Sequence, residues 1–123
     1  MPSVIQRKSY NSARVFWLNK DLLKQNIYNC INELASKCPE AQKIILFGSA
    51  VNNSETVTSD IDIILIVTET QTAFLDRPLI YKEFFKEIGL EVDIFVYTKT
   101  EIEKENIPLL RSATKFGKTL FER

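Results

Sequence analysis

Two strongly apolar, β-branched runs, joined by a small-residue turn and meeting a pair of acids, constrain this chain more than any other feature. Residues 43–67 read KIILFGSAVNNSETVTSDIDIILIV. The first run, Ile44-Ile45-Leu46-Phe47, stops at Gly48-Ser49. Ten residues follow, Ala50 to Ser59, and then Asp60 and Asp62 stand two apart at the head of the second run, Ile61 to Val67. Such runs, bounded by Gly and polar clusters, predict strands. Side chains alternate across a strand, so Asp60 and Asp62 share a face with Cα atoms roughly 6.5–7 Å apart. Two like charges at ~4 Å repel by ~4 kcal/mol at an effective dielectric of about 20. A pair held that close on an apolar strand needs a cation or wide solvation. Hard cations such as Mg²⁺ take oxygen ligands, often one or two carboxylates together with substrate phosphates.

The turn between the runs suits the same chemistry. Gly48 allows a ligand close to the backbone. Ser49 adds a hydroxyl and an N–H, and successive N–H groups in a turn attract phosphate. A lone D-x-D or a lone Gly-Ser says little. The combination G-S-x10-D-x-D between two strands is far more specific. Neither G-x-x-x-x-G-K-[ST] nor G-x-G-x-x-G occurs in the chain, so neither phosphate-binding loop of those types is expected.

The remaining chain reads as scaffold for this unit. Residues 1–12 are polar and without a clear period, which predicts a loose arm carrying at most a short strand. Residues 13–123 are expected to form a single domain, with Arg14–Leu18 as an edge strand. Asn19 is a good N-cap. Leu22, Leu23, Ile27, Cys30, Ile31 and Leu34 then mark one face of a helix over 20–37 that Pro39 ends. A second helix, with Pro78 in its first turn, is expected from about Asp76 to Ile88, with Leu79, Ile80, Phe84 and Ile88 inward and Gly89 as its stop. Glu91–Tyr97 alternates as a third strand, with Val92, Ile94 and Val96 on one face and Asp93, Phe95 and Tyr97 on the other. Thr98 and Glu101 have capping-box spacing. A helix over 108–116, stopped by Gly117, and a last short strand complete the chain. Strands and helices mix, so the fold class is α/β (α+β) with a mixed sheet flanked by helices.

Charge and composition exclude several classes. The chain has 123 residues, 45% of them hydrophobic, enough for a core. Sixteen basic and sixteen acidic residues give zero formal charge, which argues against direct nucleic-acid binding. Residues 49–93 nevertheless carry nine acidic and three basic side chains, a setting that suits a cation. With no histidine and two cysteines, Cys30 and Cys38, a His-containing zinc site and a His general base are excluded, and two Cys alone make a poor zinc site. No leader and no apolar run of membrane length is seen, so the cytoplasm is the expected compartment and no membrane partner is expected.

At Phe47-Gly48-Ser49, Ser59-Asp60-Ile61-Asp62, Phe74-Leu75-Asp76-Arg77, Val92-Asp93-Ile94-Phe95-Val96-Tyr97 and the tail from Pro108 to Arg123, the sequence resembles the DNA polymerase β-like nucleotidyltransferase superfamily. Within it, the chain looks like the minimal nucleotidyltransferases (MNT), the antitoxins of HEPN/MNT toxin–antitoxin pairs. The resemblance implies that fold, a Mg²⁺-dependent two-metal site on Asp60, Asp62 and Asp93, and ATP bound through Gly48, Ser49 and Ser59. It implies a HEPN-domain RNase toxin as partner, neutralised by transfer of AMP to one of its hydroxyls, a tyrosine first. Assembly with that toxin or with further copies of the chain is expected. Two other readings stand beside it: an antitoxin that neutralises by binding alone, and a transferase acting on a small molecule. One departure is plain. The family often carries Arg-Gly shortly after Gly-Ser, and here the segment is Ala50-Val51-Asn52-Asn53. Lys43, Lys82 and Lys86 are the basic side chains considered as substitutes.

Overall fold

The computed structural model of the chain describes residues 4–10, 13–48 and 61–123. Asn19 caps the first helix, α1 (Lys20–Lys37), its side chain accepting from the Leu22 N–H at 3.1 Å. Leu23, Ile27, Cys30, Ile31 and Leu34 of that helix are buried, the face that the three- and four-residue spacing predicts. Strand β3 (Ala41–Phe47) runs to the glycine turn, and β4 (Ile61–Val67) returns beside it. A helical crossover follows. It consists of a short 3₁₀ turn (Phe74–Asp76), α2 (Arg77–Tyr81) and a 3₁₀ segment over Lys82–Ile88. Then come β5 (Val92–Thr98), α3 (Lys99–Lys104), α4 (Pro108–Phe116) and β6 (Lys118–Glu122).

These strands make a mixed four-stranded sheet in the order β5-β4-β3-β6. β3 is antiparallel to β4 and β6, and β4 is parallel to β5. Parallel neighbours need a long crossover, which the helical stretch 74–88 supplies. The fold is α+β, a mixed sheet with flanking helices.

Two cores sit on the two faces. On one, α1 and the crossover residues Tyr81, Phe85 and Ile88 cover Ile44, Leu46, Ile61, Ile63, Leu65, Val67, Ile94 and Val96. On the other, Ile45, Ile64 and Ile66 pack with Ala113 of α4, bordered by Phe47, Phe95, Tyr97, Ile102, Leu109 and Leu110. β4 is therefore covered on both sides, which explains its unbroken apolar run. Asp62, on the same face as Ile64 and Ile66, is the one charge in it.

Two expectations need correction. The N-terminal segment is not a loose arm. Strand β1 (Ile5–Tyr10) pairs antiparallel with β2 (Ala13–Leu18) as a separate two-stranded sheet, so Arg14–Leu18 does not edge the main sheet. Val4 is fully buried, and its carbonyl accepts from the Asn19 N–H at 2.7 Å. The crossover is also rotated. Arg77, Tyr81, Phe85 and Ile88 face inward, while Leu79 and Ile80 are 69% and 46% exposed. The 3₁₀ stretch has about three residues per turn, so Phe85 and Ile88 eclipse one another, a spacing the α-helical period misses.

Arg77 fixes that rotation. Its Nε donates to the Thr72 carbonyl at 2.9 Å, and its Nη1 donates to the Val96 carbonyl at 3.0 Å. Nη1 and Nη2 also donate to the two carboxylate oxygens of Glu101, at 2.8 and 3.0 Å. Glu101 at the same time accepts from the Thr98 N–H at 2.8 Å, completing the capping box of α3. Gly89 ends the crossover at φ 95° with Val4 behind it, where an added Cβ would lie 2.7 Å from a Val4 methyl.

Tyr81 anchors the inner side. Its hydroxyl donates to the Glu40 carboxylate at 2.8 Å. Burial first, then that bond, pushes the phenol well above its ordinary range. The folded state thus holds this proton more tightly than the unfolded chain. The resulting stability is complete below about pH 10, the unfolded value, and is lost as pH rises through the higher folded value. Tyr81→Phe is expected to cost about 1–2 kcal/mol at pH 7 and to flatten the alkaline decline. Urea midpoints between pH 7 and 11 check both, and parallel curves for the two proteins contradict the second.

Candidate functional site

The two strands that carry acids are neighbours in the sheet, and their register decides what meets what. In the parallel pair, Asp62 lies opposite Asp93; in the antiparallel pair, Phe47 lies opposite Asp62. Directly opposed residues share a face, so Phe47, Asp62 and Asp93 form one row across β3, β4 and β5. The next row on that face is Ile45, Ile64 and Phe95. The acids thus sit at the open end of the thinner core. Asp62 is half-buried and Asp93 exposed, with the Phe47–Phe95 ring pair, 6.0 Å between centroids, beside them.

Gly48 closes the row. It has φ +83°, and a Cβ placed on it would lie 2.5 Å from Oδ2 of Asp62. Two independent requirements therefore fall on one residue: a left-handed backbone, and no side chain between the turn and the carboxylate. Gly48→Ala is expected to cost about 1–2 kcal/mol from the backbone alone, and to push the Asp62 carboxylate out of its position. A guanidinium denaturation midpoint equal to that of the unchanged chain would contradict this.

Of the residues that the sequence assigns to the site, Gly48, Asp62 and Asp93 are brought together. Ser49, Ser59 and Asp60 lie outside the described residues, as does the departure at 50–53. Among the described residues no group of three or more His, Cys, Asp or Glu side chains could hold a metal. Asp62 and Asp93 are the described part of such a set. The donor chemistry fits a hard divalent cation: two carboxylates on one face, one of them solvent-facing, and a side-chain-free turn against them. No histidine or thiolate is near to favour a softer metal.

The three lysines considered as phosphate partners stand differently. Lys43 pairs with Glu122 at 3.6 Å, at the opposite end of β3. Lys86 pairs with Glu83 at 3.0 Å on the exposed side of the crossover. Lys82 is exposed on the same segment. Arg77 and its Glu101 partner carry no signal in the strand and helix periods. The Arg-x-x-x-Tyr-x-x-x-Phe spacing from 77 to 85 is the pattern that reveals their buried side. Among the described residues no helix is long and apolar enough to cross a membrane.

Residues 29–123 match the family model for polymerase beta, nucleotidyltransferase. No curated protein matches the chain. Among solved structures, a protein from Sulfolobus solfataricus assigned as a nucleotidyltransferase superposes with a TM-score of 0.61 at 21% identity, over 85% of this chain and 84% of that one. A chain of the complex between a tri-AMPylated Shewanella oneidensis HEPN toxin and MNT antitoxin superposes with a TM-score of 0.57 at 22% identity, over 82% and 73%. A toxin–antitoxin with AMP-PNP gives 0.58 at 22% identity, over 86% and 75%. At these identities the likeness is one of fold.

Proposed function

The chain belongs to the polymerase beta nucleotidyltransferase family, and we propose that it transfers AMP from ATP to a hydroxyl of a HEPN-domain toxin and so neutralises it. The observation that carries the chemistry is the row in which Asp62 meets Asp93 with Gly48 against it. Support for the partner comes from the neighbouring folds, which occur in toxin–antitoxin complexes, one of them with an AMPylated toxin.

In this reading Asp60, Asp62 and Asp93 hold magnesium. When bound, it neutralises triphosphate charge and acidifies the acceptor hydroxyl. Gly48 and Ser49 receive the triphosphate through backbone N–H groups and the Ser49 hydroxyl, and Ser59 contributes a further hydroxyl. Asp93, the exposed acid, takes the acceptor's proton. The acceptor oxygen then bonds to the α-phosphorus, the α–β phosphoanhydride bond breaks, and pyrophosphate leaves. The half-buried Phe47 and Phe95 keep one side of the acids dry, which strengthens every charge interaction there.

The test is the intact mass of the protein encoded by the adjoining gene after incubation with this chain, ATP and Mg²⁺. The expected result is a gain of one or more AMP units, absent with Asp62→Asn. A stable complex that silences the partner with no mass gain would replace transfer by capping. The Ala50-Val51-Asn52-Asn53 segment, without the family's arginine, favours that second reading specifically.

A further inference from the structure

The crossover presents a feature that the acid site does not use. Phe74, Leu75, Leu79 and Ile80 are 38%, 86%, 69% and 46% exposed. Leu75 and Leu79 stand one helical turn apart and form a ridge. The ridge cannot roll inward, because Arg77 on the other side is tied to Val96, Thr72 and Glu101 and Tyr81 is tied to Glu40. An apolar patch of a few hundred Å² on a soluble chain marks an interaction site. This patch also leads toward the acids. Phe74 packs on Tyr97 at 5.3 Å between centroids, and Tyr97, Phe95 and Asp93 follow each other at two-residue steps on one face of β5.

Area and charge decide what covers it. Four side chains supply roughly half of the ~800 Å² per partner that a stable interface uses, so the ridge is an anchor to which further contact along β5 is added. Around it Asp76, Glu83, Glu87, Glu91 and Asp93 are exposed. Against them stand Lys82 and a Lys86 already paired with Glu83, while the Arg77 charge is buried on Glu101. Two copies joined ridge to ridge would set this acidic rim against itself, whereas a basic rim complements it. We propose that the Leu75–Leu79 ridge is the docking surface for a separate protein with an apolar centre and a basic rim. That protein is the acceptor of the reaction, seated so that its hydroxyl reaches Asp93 along the face of β5. An RNA-cleaving protein carries such a basic surface, since it must bind phosphate backbone. The identity of the docked protein as acceptor rests on the function proposed above.

The experiment titrates the full chain against the fluorescently labelled product of the adjoining gene at physiological salt. Light scattering of the chain alone and the AMP-transfer assay run in parallel. Leu75→Glu/Leu79→Glu is expected to weaken binding about 100-fold, and Asp76→Lys about fivefold. Lys115→Glu, on the exposed side of α4, is expected to leave binding unchanged. Both leucines are exposed, so the double variant should keep the unchanged chain's circular dichroism. Binding by the double variant within about threefold of the unchanged chain overturns the proposal, as does failure of the unchanged chain to bind. A dimer of the chain alone that the double variant makes monomeric overturns it too, giving the ridge to a second copy. Binding that is lost in the double variant, in a pair that shows no AMP transfer, upholds the surface and overturns the chemistry instead.

Discussion

Asp62→Asn is expected to reduce AMP transfer by about 10³-fold or more, the scale on which removing a preorganised charge-stabilising group acts, while the protein still folds. The substitution keeps the shape and removes one charge. Asp62 sits between its two neighbours in the row, opposite Phe47 on one side and Asp93 on the other, and an added Cβ at Gly48 would strike its carboxylate. A role in scaffold and a role in chemistry part company here. Losing one of two like charges on one face relieves repulsion, so the thermal midpoint should stay level or rise. A midpoint that falls by more than ~5 °C, about 1 kcal/mol for a domain of this size, would make Asp62 structural. Unchanged transfer would remove it from the site. Asp93→Asn is expected to follow the same pattern, with its loss concentrated in kcat, since it is assigned to the acceptor's proton.

Arg77→Met carries the largest stability effect, a loss of about 3 kcal/mol, or roughly 10 °C in thermal midpoint. Methionine fills most of the volume but strands three partners. The Val96 and Thr72 carbonyls lose their donor, and the Glu101 carboxylate loses a bidentate cation. Glu101→Gln should cost less, because its side chain is 32% exposed and the amide can still accept from Thr98. A double-mutant cycle is expected to show that the two losses are not additive. The pH dependence follows from the same pair. The hydrogen bond from Arg77, above all, holds the Glu101 carboxyl below the usual carboxylate range. Its stabilisation is therefore complete above the unfolded value near pH 4.3 and fades as pH falls through the lower folded value. Acid unfolding of Arg77→Met should lack this component. Additive single losses in the cycle would dissolve the pair as a unit.

Much of this architecture is written locally. Asn19 and the apolar spacing from Leu22 to Leu34 specify α1 to the residue, because caps and periods act within a few residues. Thr98 and Glu101, Gly89 and Gly117 mark ends by the same local chemistry. The alternation along 91–97 sorts β5 into its two faces. What sequence spacing does not carry is pairing between distant segments. Nothing in residues 5–18 says that they pair with each other rather than with the main sheet. Nothing in 77–88 says that an arginine lies inward, since its partner Glu101 is 24 residues away. For the candidate site, Gly48, Asp62 and Asp93 were legible as a set because each sits at the end or head of a strong strand pattern. Their meeting in one row depends on β4 lying beside β5, which only the crossover decides.

The placement of the acids on β4 and β5 has a consequence for motion. β4 is the inner strand with cover on both faces, and Ile61, Ile63, Ile64 and Leu65 around Asp62 are fully buried. Amides in such a strand exchange with solvent only when the whole domain opens, whereas edge strands and turns open on their own. Protection measured at Ile63 and Ile64 should therefore equal the free energy of global unfolding, and protection at Lys118 and Thr119 of the outer strand β6 should be smaller. The floor that carries Asp62 and Asp93 would then stay rigid for as long as the protein is folded, so any adjustment to nucleotide or acceptor falls to the elements around it.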